Sequence, residues 1–263
     1  MRAEPVALRR ARLVVAYDGS GFYGFAESGG ALPTVMGVLR QAIGRVVGTD
    51  VELVGAGRTD AGVHAWGQVV SGDLPESTDL DNVVHRLNRM CGPAIAVRAA
   101  EWAGDAEFHA RFSATWRRYR YTVLNQATAV PLLAGVAWHV AQPLDLWAMQ
   151  LGCDPLIGEH DFTSFCRKPK PVPDQQPASM TRRVMDATWS TVGSEYGDLL
   201  RFEIRANAFC QQMVRSIVGT LVDVGTGSLR AGEVRSILLA RDRARAGQVA
   251  PPHGLCLWDV GYA

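Results

Sequence analysis

Apolar residues recur along this chain at two spacings, and the changes between them mark out its elements. Residues 12–17 read as a strand, closed by Asp18-Gly19-Ser20-Gly21, a turn signal. Phe22, Tyr23 and Phe25 follow as core under a loop, with a ligand wall as the other reading. Thr34 stands at an N-cap position before Val35, Val38, Leu39, Ala42, Ile43 and Val46, one face at helical spacing. Two short strand-like runs come next, residues 51–54 and 67–71, with a glycine-rich turn between them. Leu80, Val83, Val84 and Leu87 form the stripe of a second helix over 79–90, and residues 95–100 read as a strand. The order is β-α-β-β-α-β, a ferredoxin-like arrangement.

The second half repeats this logic. Residues 117–123 alternate strictly, with Tyr119, Tyr121 and Val123 on one face and Arg118, Arg120 and Thr122 on the other. Residues 144–156 read as a helix, 158–166 as irregular, and the proline- and lysine-bearing stretch 167–180 as a loop. Leu200, Phe202, Ile204 and Ala206 alternate with Arg201, Glu203 and Arg205. Phe209, Met213, Ile217, Leu221 and Val224 line the longest helical pattern, which Gly225 stops. A helix over 234–245 and a strand over 255–260 close the chain. The expected fold is α+β: two ferredoxin-like-related halves, 1–107 and 108–263, forming a mixed, mainly antiparallel sheet with flanking helices.

Composition narrows the class. A hydrophobic fraction of 48% marks a globular chain, and no apolar run is long enough to span a bilayer. The first residues, Met1-Arg2-Ala3-Glu4-Pro5, lead into a strand without the apolar segment of a signal peptide, so a cytoplasmic protein is expected. The five cysteines are scattered with no CxxC pair, which predicts free thiols and no metal site among them. A net charge of +1 does not announce a nucleic-acid partner. The distribution says more: Arg111, Arg117, Arg118 and Arg120 cluster without an acid, and Arg167, Lys168, Lys170, Arg182 and Arg183 face Asp174 alone. Bases interleaved with aromatics suit a phosphate backbone with bases to stack on; a solvated surface is the other reading.

The stretch with most chemistry is Gly55-Ala56-Gly57-Arg58-Thr59-Asp60-Ala61-Gly62-Val63-His64-Ala65. It sets one carboxylate, Asp60, in a tight turn with Arg58 two residues before it. Such a carboxylate is a candidate nucleophile or base, and a turn stabiliser is the equal alternative. The other chemistries lack support. His160, Asp161 and Cys166 fit no standard metal spacing. Gly55 and Gly57, followed only at Gly62, miss the dinucleotide fingerprint. Arg205 sits on a strand that otherwise lines a core, where burial would require a carboxylate partner; an exposed arginine on the solvent face is the alternative.

The chain resembles the tRNA pseudouridine synthase A (TruA) family, and the resemblance runs through nearly all of it. Tyr17-Asp18-Gly19-Ser20 with Gly24-Phe25 is similar to the family's opening strand and turn. The stretch from Gly55 to Ala65 is similar to its catalytic motif at every position. Phe108-His109-Ala110-Arg111-Phe112-Ser113-Ala114 followed by Arg117-Arg118-Tyr119-Arg120-Tyr121 resembles its second motif. The segment Gly158 to Phe165, the helix around Ala206-Asn207-Ala208-Phe209 and Met213-Val214-Arg215, and His253-Gly254-Leu255 resemble the remaining blocks.

The resemblance implies the pseudouridine synthase fold and a cofactor-free, metal-free isomerase. Such an enzyme converts uridine to pseudouridine at positions 38–40, in the anticodon stem-loop of tRNA. It works as a homodimer and is not tied to a membrane. It also implies residue roles: Asp60 as the catalytic aspartate, Arg58 as the residue drawing the base from its stack, Tyr119 as the ring that stacks on the base, and Arg205 as the cation paired with the aspartate. Departures fall at Ala26-Glu27-Ser28-Gly29-Gly30, Met36, Trp116 and Cys210-Gln211-Gln212, none of them at these four residues.

Overall fold

The structure is a computed structural model that describes residues 7–27, 32–168 and 179–263. Expectations placed on residues 1–5, on residues 28–30 of the first loop, and on Lys170 and Asp174 within the loop 167–180 lie outside the described residues. The chain divides into two units, Met1–Thr115 with Leu257–Ala263, and Trp116–Cys256.

The first unit follows the expected order: β1 (Leu8–Tyr17), α1 (Val35–Val47), β2 (Leu53–Gly55), β3 (His64–Pro75), α2 (Leu80–Cys91) and β4 (Ile95–Trp102). β1 lies between β3 and β4, antiparallel to both, with Val14 opposite Val69 on one side and Ala99 on the other. β2 pairs with residues 70–72 of β3. Ala11, Leu13, Val15 and Tyr17 alternate into the core, and Leu39, Ile43, Val83 and Leu87 bury the facing stripes of α1 and α2. Fully burying each such side chain contributes roughly 1.5–3 kcal/mol. α1 begins at the cap the sequence signals, whereas α2 starts one residue later than expected, with Asp79 as its cap. Thr34 Oγ1 accepts from Gly37 N at 3.2 Å, and the Asp79 carboxylate accepts from Asp81 N and Asn82 N.

The second unit holds β5 (Ala114–Asn125), β6 (Trp138–Val140), α3 (Leu146–Leu151), β7 (Gly158–Asp161), β8 (Thr181–Val192), β9 (Leu199–Ala206), α4 (Met213–Gly225) and α5 (Glu233–Ala240). Its strands run β5-β9-β8-β7, antiparallel throughout, and β6 joins β5 in parallel, which makes the sheet mixed. Both units are therefore α+β with mainly antiparallel strands. The final strand, β10 (Leu255–Tyr262), returns to the first unit from residue 257 and lies beside β3. α4 is buried on nearly every side. Its polar Thr220 is accommodated because Oγ1 donates to Ser216 O at 2.8 Å and accepts from Gly247 N at 2.9 Å.

Where elements depart from the sequence reading, a local cause is visible. The helix expected over 144–156 stops at Leu151, and Pro155 sits in a separate 3-10 turn, Asp154–Leu156. The long helix begins at Met213 and not at Phe209, because Gln212 has φ 64. α5 ends where Arg241 turns left-handed at φ 51. The twelve-residue strand β8 has no clean alternation to reveal it. Its register shifts between Val184 and Asp186, so buried Val184 and Ala187 stand three apart instead of two.

The expectation of five free thiols is corrected. Cys166 and Cys210 form a disulfide with a Cα–Cα distance of 5.8 Å, and Cys91, Cys153 and Cys256 are free. Their separation of 44 residues carries no pairing signal; the fold sets the two segments side by side, with Arg167 N donating to Gln211 O at 2.9 Å. Burial pushes the Cys153 thiol up to about 12. No helix among the described residues is long and apolar enough to cross a membrane.

Candidate active site

The Asp60 loop joins β2 to β3 and is held from both sides. Ala56 N donates to Val69 O at 2.8 Å, and Phe25 N donates to Thr59 O at 3.1 Å. After Asp60 the chain reverses, with Val63 N donating to Asp60 O at 3.1 Å and Gly62 at φ 78. A residue with a Cβ would be strained at that φ. Gly19 makes room for the far end of the loop: a Cβ there would come within 2.0 Å of Val63 O. Beneath the loop, the Tyr17 hydroxyl and Thr59 Oγ1 share a 2.8 Å hydrogen bond, and Gln68 Nε2 donates to Gly57 O at 2.8 Å.

This frame leaves Asp60 half-buried and Arg58 exposed. Arg58 makes no hydrogen bond or ion pair among the described residues, so its guanidinium is available to an anion. His64 serves the frame. Gly19 N donates to His64 Nδ1 at 3.1 Å, and an oxygen of the Asp18 carboxylate lies at the same distance from that nitrogen. The Asp18 carboxyl lies below the usual carboxylate range chiefly because Ser20 N–H donates to it.

In the second unit, β5 sorts its side chains as the alternation predicts. Tyr119 is 7% exposed and meets Phe209 edge-on, with ring centroids 5.0 Å apart. Two cations lie on its face of the sheet. Arg117 is buried and donates Nη1 to Asn207 O at 2.8 Å. Arg215, in the first turn of α4, donates Nε to Ala250 O at 2.7 Å, next to Pro251, whose carbonyl accepts from the Tyr121 hydroxyl.

Arg205 is placed differently. It stands opposite Arg118 in the β5–β9 register while Tyr119 stands opposite Ile204, so Arg205 and Tyr119 occupy opposite faces. Arg205 Nε donates to Asp186 Oδ2 at 2.7 Å, and its guanidinium lies 5.6 Å from the Trp116 ring centroid. Arg118 flanks the same indole at 5.5 Å. The structure thus pairs Arg205 within its own unit and does not set it beside Tyr119.

Sequence reasoning did not single out Tyr17, Thr59, Gln68 or Arg215. A signal existed for Gln68, an uncharged polar residue next to Val69 and Val70 on a strand that the burial shows to be core. Among the described residues no group of three or more His, Cys, Asp or Glu could hold a metal ion. His160 Nε2 instead meets Ile157 O at 2.8 Å, and Asp161 accepts from Thr163.

The profile of the family described as tRNA pseudouridine synthase matches residues 13–113 and 153–263. The tRNA pseudouridine synthase A of Brevibacillus brevis is 42% identical over 255 residues, covering 97% of this chain and 100% of that protein. Its namesake in Caulobacter vibrioides is 40% identical over 258 residues, covering 96% and 98%. That of Gluconobacter oxydans is 36% identical over 267 residues, covering 99% and 92%. Since the profile spans the Asp60 loop as well as α4, and these relatives align over nearly their entire lengths, the chain belongs to the tRNA pseudouridine synthase A family, a family of isomerases.

Proposed function

We propose that this enzyme isomerises uridine to pseudouridine at positions 38–40 in the anticodon stem-loop of tRNA, without a cofactor, as a cytoplasmic homodimer, and with Asp60 as its essential carboxylate. The observation that carries the reading is the Asp60 loop itself, intact in sequence and pinned through the main chain on both sides of the acid.

The chemistry assigns a task to each group. A stacked uridine must leave its helix before C1′ can be reached, at a cost of a few kcal/mol. Arg58, exposed beside Asp60, takes the backbone or the vacated stack. Tyr119 offers its ring to the extruded base, worth roughly 1–3 kcal/mol. Asp60 promotes cleavage of the glycosidic bond, by attacking or by taking a ribose proton. The freed uracil turns and C5 bonds to C1′, displacing Asp60 from C1′ on the first route or with the ribose proton returned on the second; the C5 proton leaves and N1, now free of the sugar, takes one up. Only the carboxylate form does this, and a nearby cation favours that form.

The resemblance gives that cation's role to Arg205. Its bond to Asp186 and its position opposite the Tyr119 face favour a different donor of positive charge, Arg215, which lies on the Tyr119 face. The direct test of the main reading replaces Asp60 by Asn and assays pseudouridine in tRNA. Turnover should fall at least about a thousandfold, the scale of losing an essential nucleophile or acid–base group, while tRNA binding persists. An Asp60→Asn enzyme with normal turnover would overturn it. Sedimentation of the purified protein tests the dimer.

A further inference from the structure

Gln68 on β3 is 0% exposed, and its amide is not fully satisfied. Oε1 has no hydrogen-bond partner among the described residues. A methionine would match its length and leave no buried acceptor unpaired. The side chain is therefore present for its N–H groups. One of them donates to Gly57 O at 2.8 Å; the other reaches the Tyr17 hydroxyl at 3.5 Å, too long to carry weight. The orientation follows from chemistry, since a flipped amide would set two oxygens against each other at Gly57.

The second fixed point is Tyr17. Its ring is buried at 4% exposure and stacks on Phe25 at 5.9 Å, and its hydroxyl meets Thr59 Oγ1 at 2.8 Å. Thr59 is itself buried, at 7%. Gly57 and Thr59 flank Arg58, and Thr59 immediately precedes Asp60. Two hydrogen bonds, the Tyr17–Thr59 one buried and the Gln68–Gly57 one partly so, thus pull residues 57 and 59 inward, which turns residue 58 outward and sets where the chain enters residue 60.

We propose that Gln68 and Tyr17 are positioning residues for the reaction. Through Gly57 O and Thr59 Oγ1 they fix the direction of Arg58 and the height of Asp60 without touching substrate. The inference rests on Asp60 being the catalytic carboxylate. Positioning of this kind acts on the chemical step: a displacement of about 1 Å can lower rate on the order of a hundredfold while leaving substrate affinity alone.

The test uses full-length enzyme and unmodified tRNA, with kcat and KM measured separately. Tyr17→Phe removes one hydroxyl and keeps the stacked ring. Thr59→Val removes its partner at nearly constant shape. Each should lower kcat by about tenfold or more with KM within about twofold. Thr59→Ser restores the hydroxyl and should return kcat to within about threefold of wild type. The double variant Tyr17→Phe/Thr59→Val should be no slower than the slower single variant, since both remove one bond. Gln68→Met, which withdraws the donor from Gly57, should show the same split between kcat and KM. Unchanged kcat in Tyr17→Phe and Gln68→Met, or KM rising in step with any loss, would overturn the proposal. If Thr59→Val does not fold, Tyr17→Phe and Gln68→Met decide. An inactive Asp60→Asn beside fully active Tyr17→Phe rejects the positioning role alone; an active Asp60→Asn rejects the reading beneath it.

Discussion

Arg205 donates Nε to Asp186 Oδ2 at 2.7 Å, and the bulge in β8 brings the two together. The register passes from Val184 opposite Ala206 to Asp186 opposite Arg205, so Met185 is the extra residue. In an unbulged register Met185, and not Asp186, would stand against Arg205. The side chains are 35% and 39% exposed. Pairs so open to solvent contribute about 0–1 kcal/mol, so Arg205→Met and Asp186→Asn should each shift urea unfolding by less than about 1 kcal/mol. On tRNA, Arg205→Met should keep kcat within about threefold of wild type, and Arg215→Met should lower it more than about tenfold. A collapse of kcat in Arg205→Met, with Arg215→Met active, would return the counter-charge to Arg205.

Tyr119 allows ring and hydroxyl to be separated. Its ring packs edge-on against Phe209 and leaves stacking as the role most open to it. Tyr119→Phe keeps the ring and should retain most of kcat/KM. Tyr119→Ala should lose roughly 5- to 150-fold, the equivalent of about 1–3 kcal/mol of stacking. Equal losses in the two variants would assign the role to the hydroxyl.

Asp161 makes an acid-sensitive contribution to stability. Its Oδ1 accepts from Thr163 Oγ1 at 2.6 Å and from Thr163 N at 3.0 Å, and Oδ2 lies 3.2 Å from Arg241 Nε. The Thr163 hydroxyl first, then its N–H and the Arg241 charge, hold the carboxyl below its usual range against the opposing effect of burial. A depressed folded-state value favours the native state above the unfolded value, near 3.9, and that contribution disappears as pH falls through the folded value. Asp161→Asn should be less stable than wild type at pH 7, and the difference should shrink below about pH 4. Denaturant unfolding at the two pH values measures this, and a difference independent of pH would contradict it.

The sequence determined much of this protein by local means. Thr34 announced its helix because a cap is a bond between neighbours in the chain. The alternation in β5 and β9 told Tyr119 from Arg118 and Ile204 from Arg205 before any contact was known, but only the register between the two strands put Tyr119 and Arg205 on opposite faces. The Asp60 motif was legible because its glycines and its acid lie within eleven consecutive residues. What remained hidden depends on residues distant in the chain. The β8 bulge broke the two-residue period by one position, so neither the strand nor the Asp186–Arg205 pair could be read. Cys166 met Cys210 only because two loops converge. Gln68 looked like one polar residue in a strand until the fold set it under Gly57, and Tyr17 under Thr59. Periodicity reports which side of an element is buried. Which polar atoms meet there is decided by the packing of one element on another, and in this protein that packing holds Arg58 and Asp60 in place.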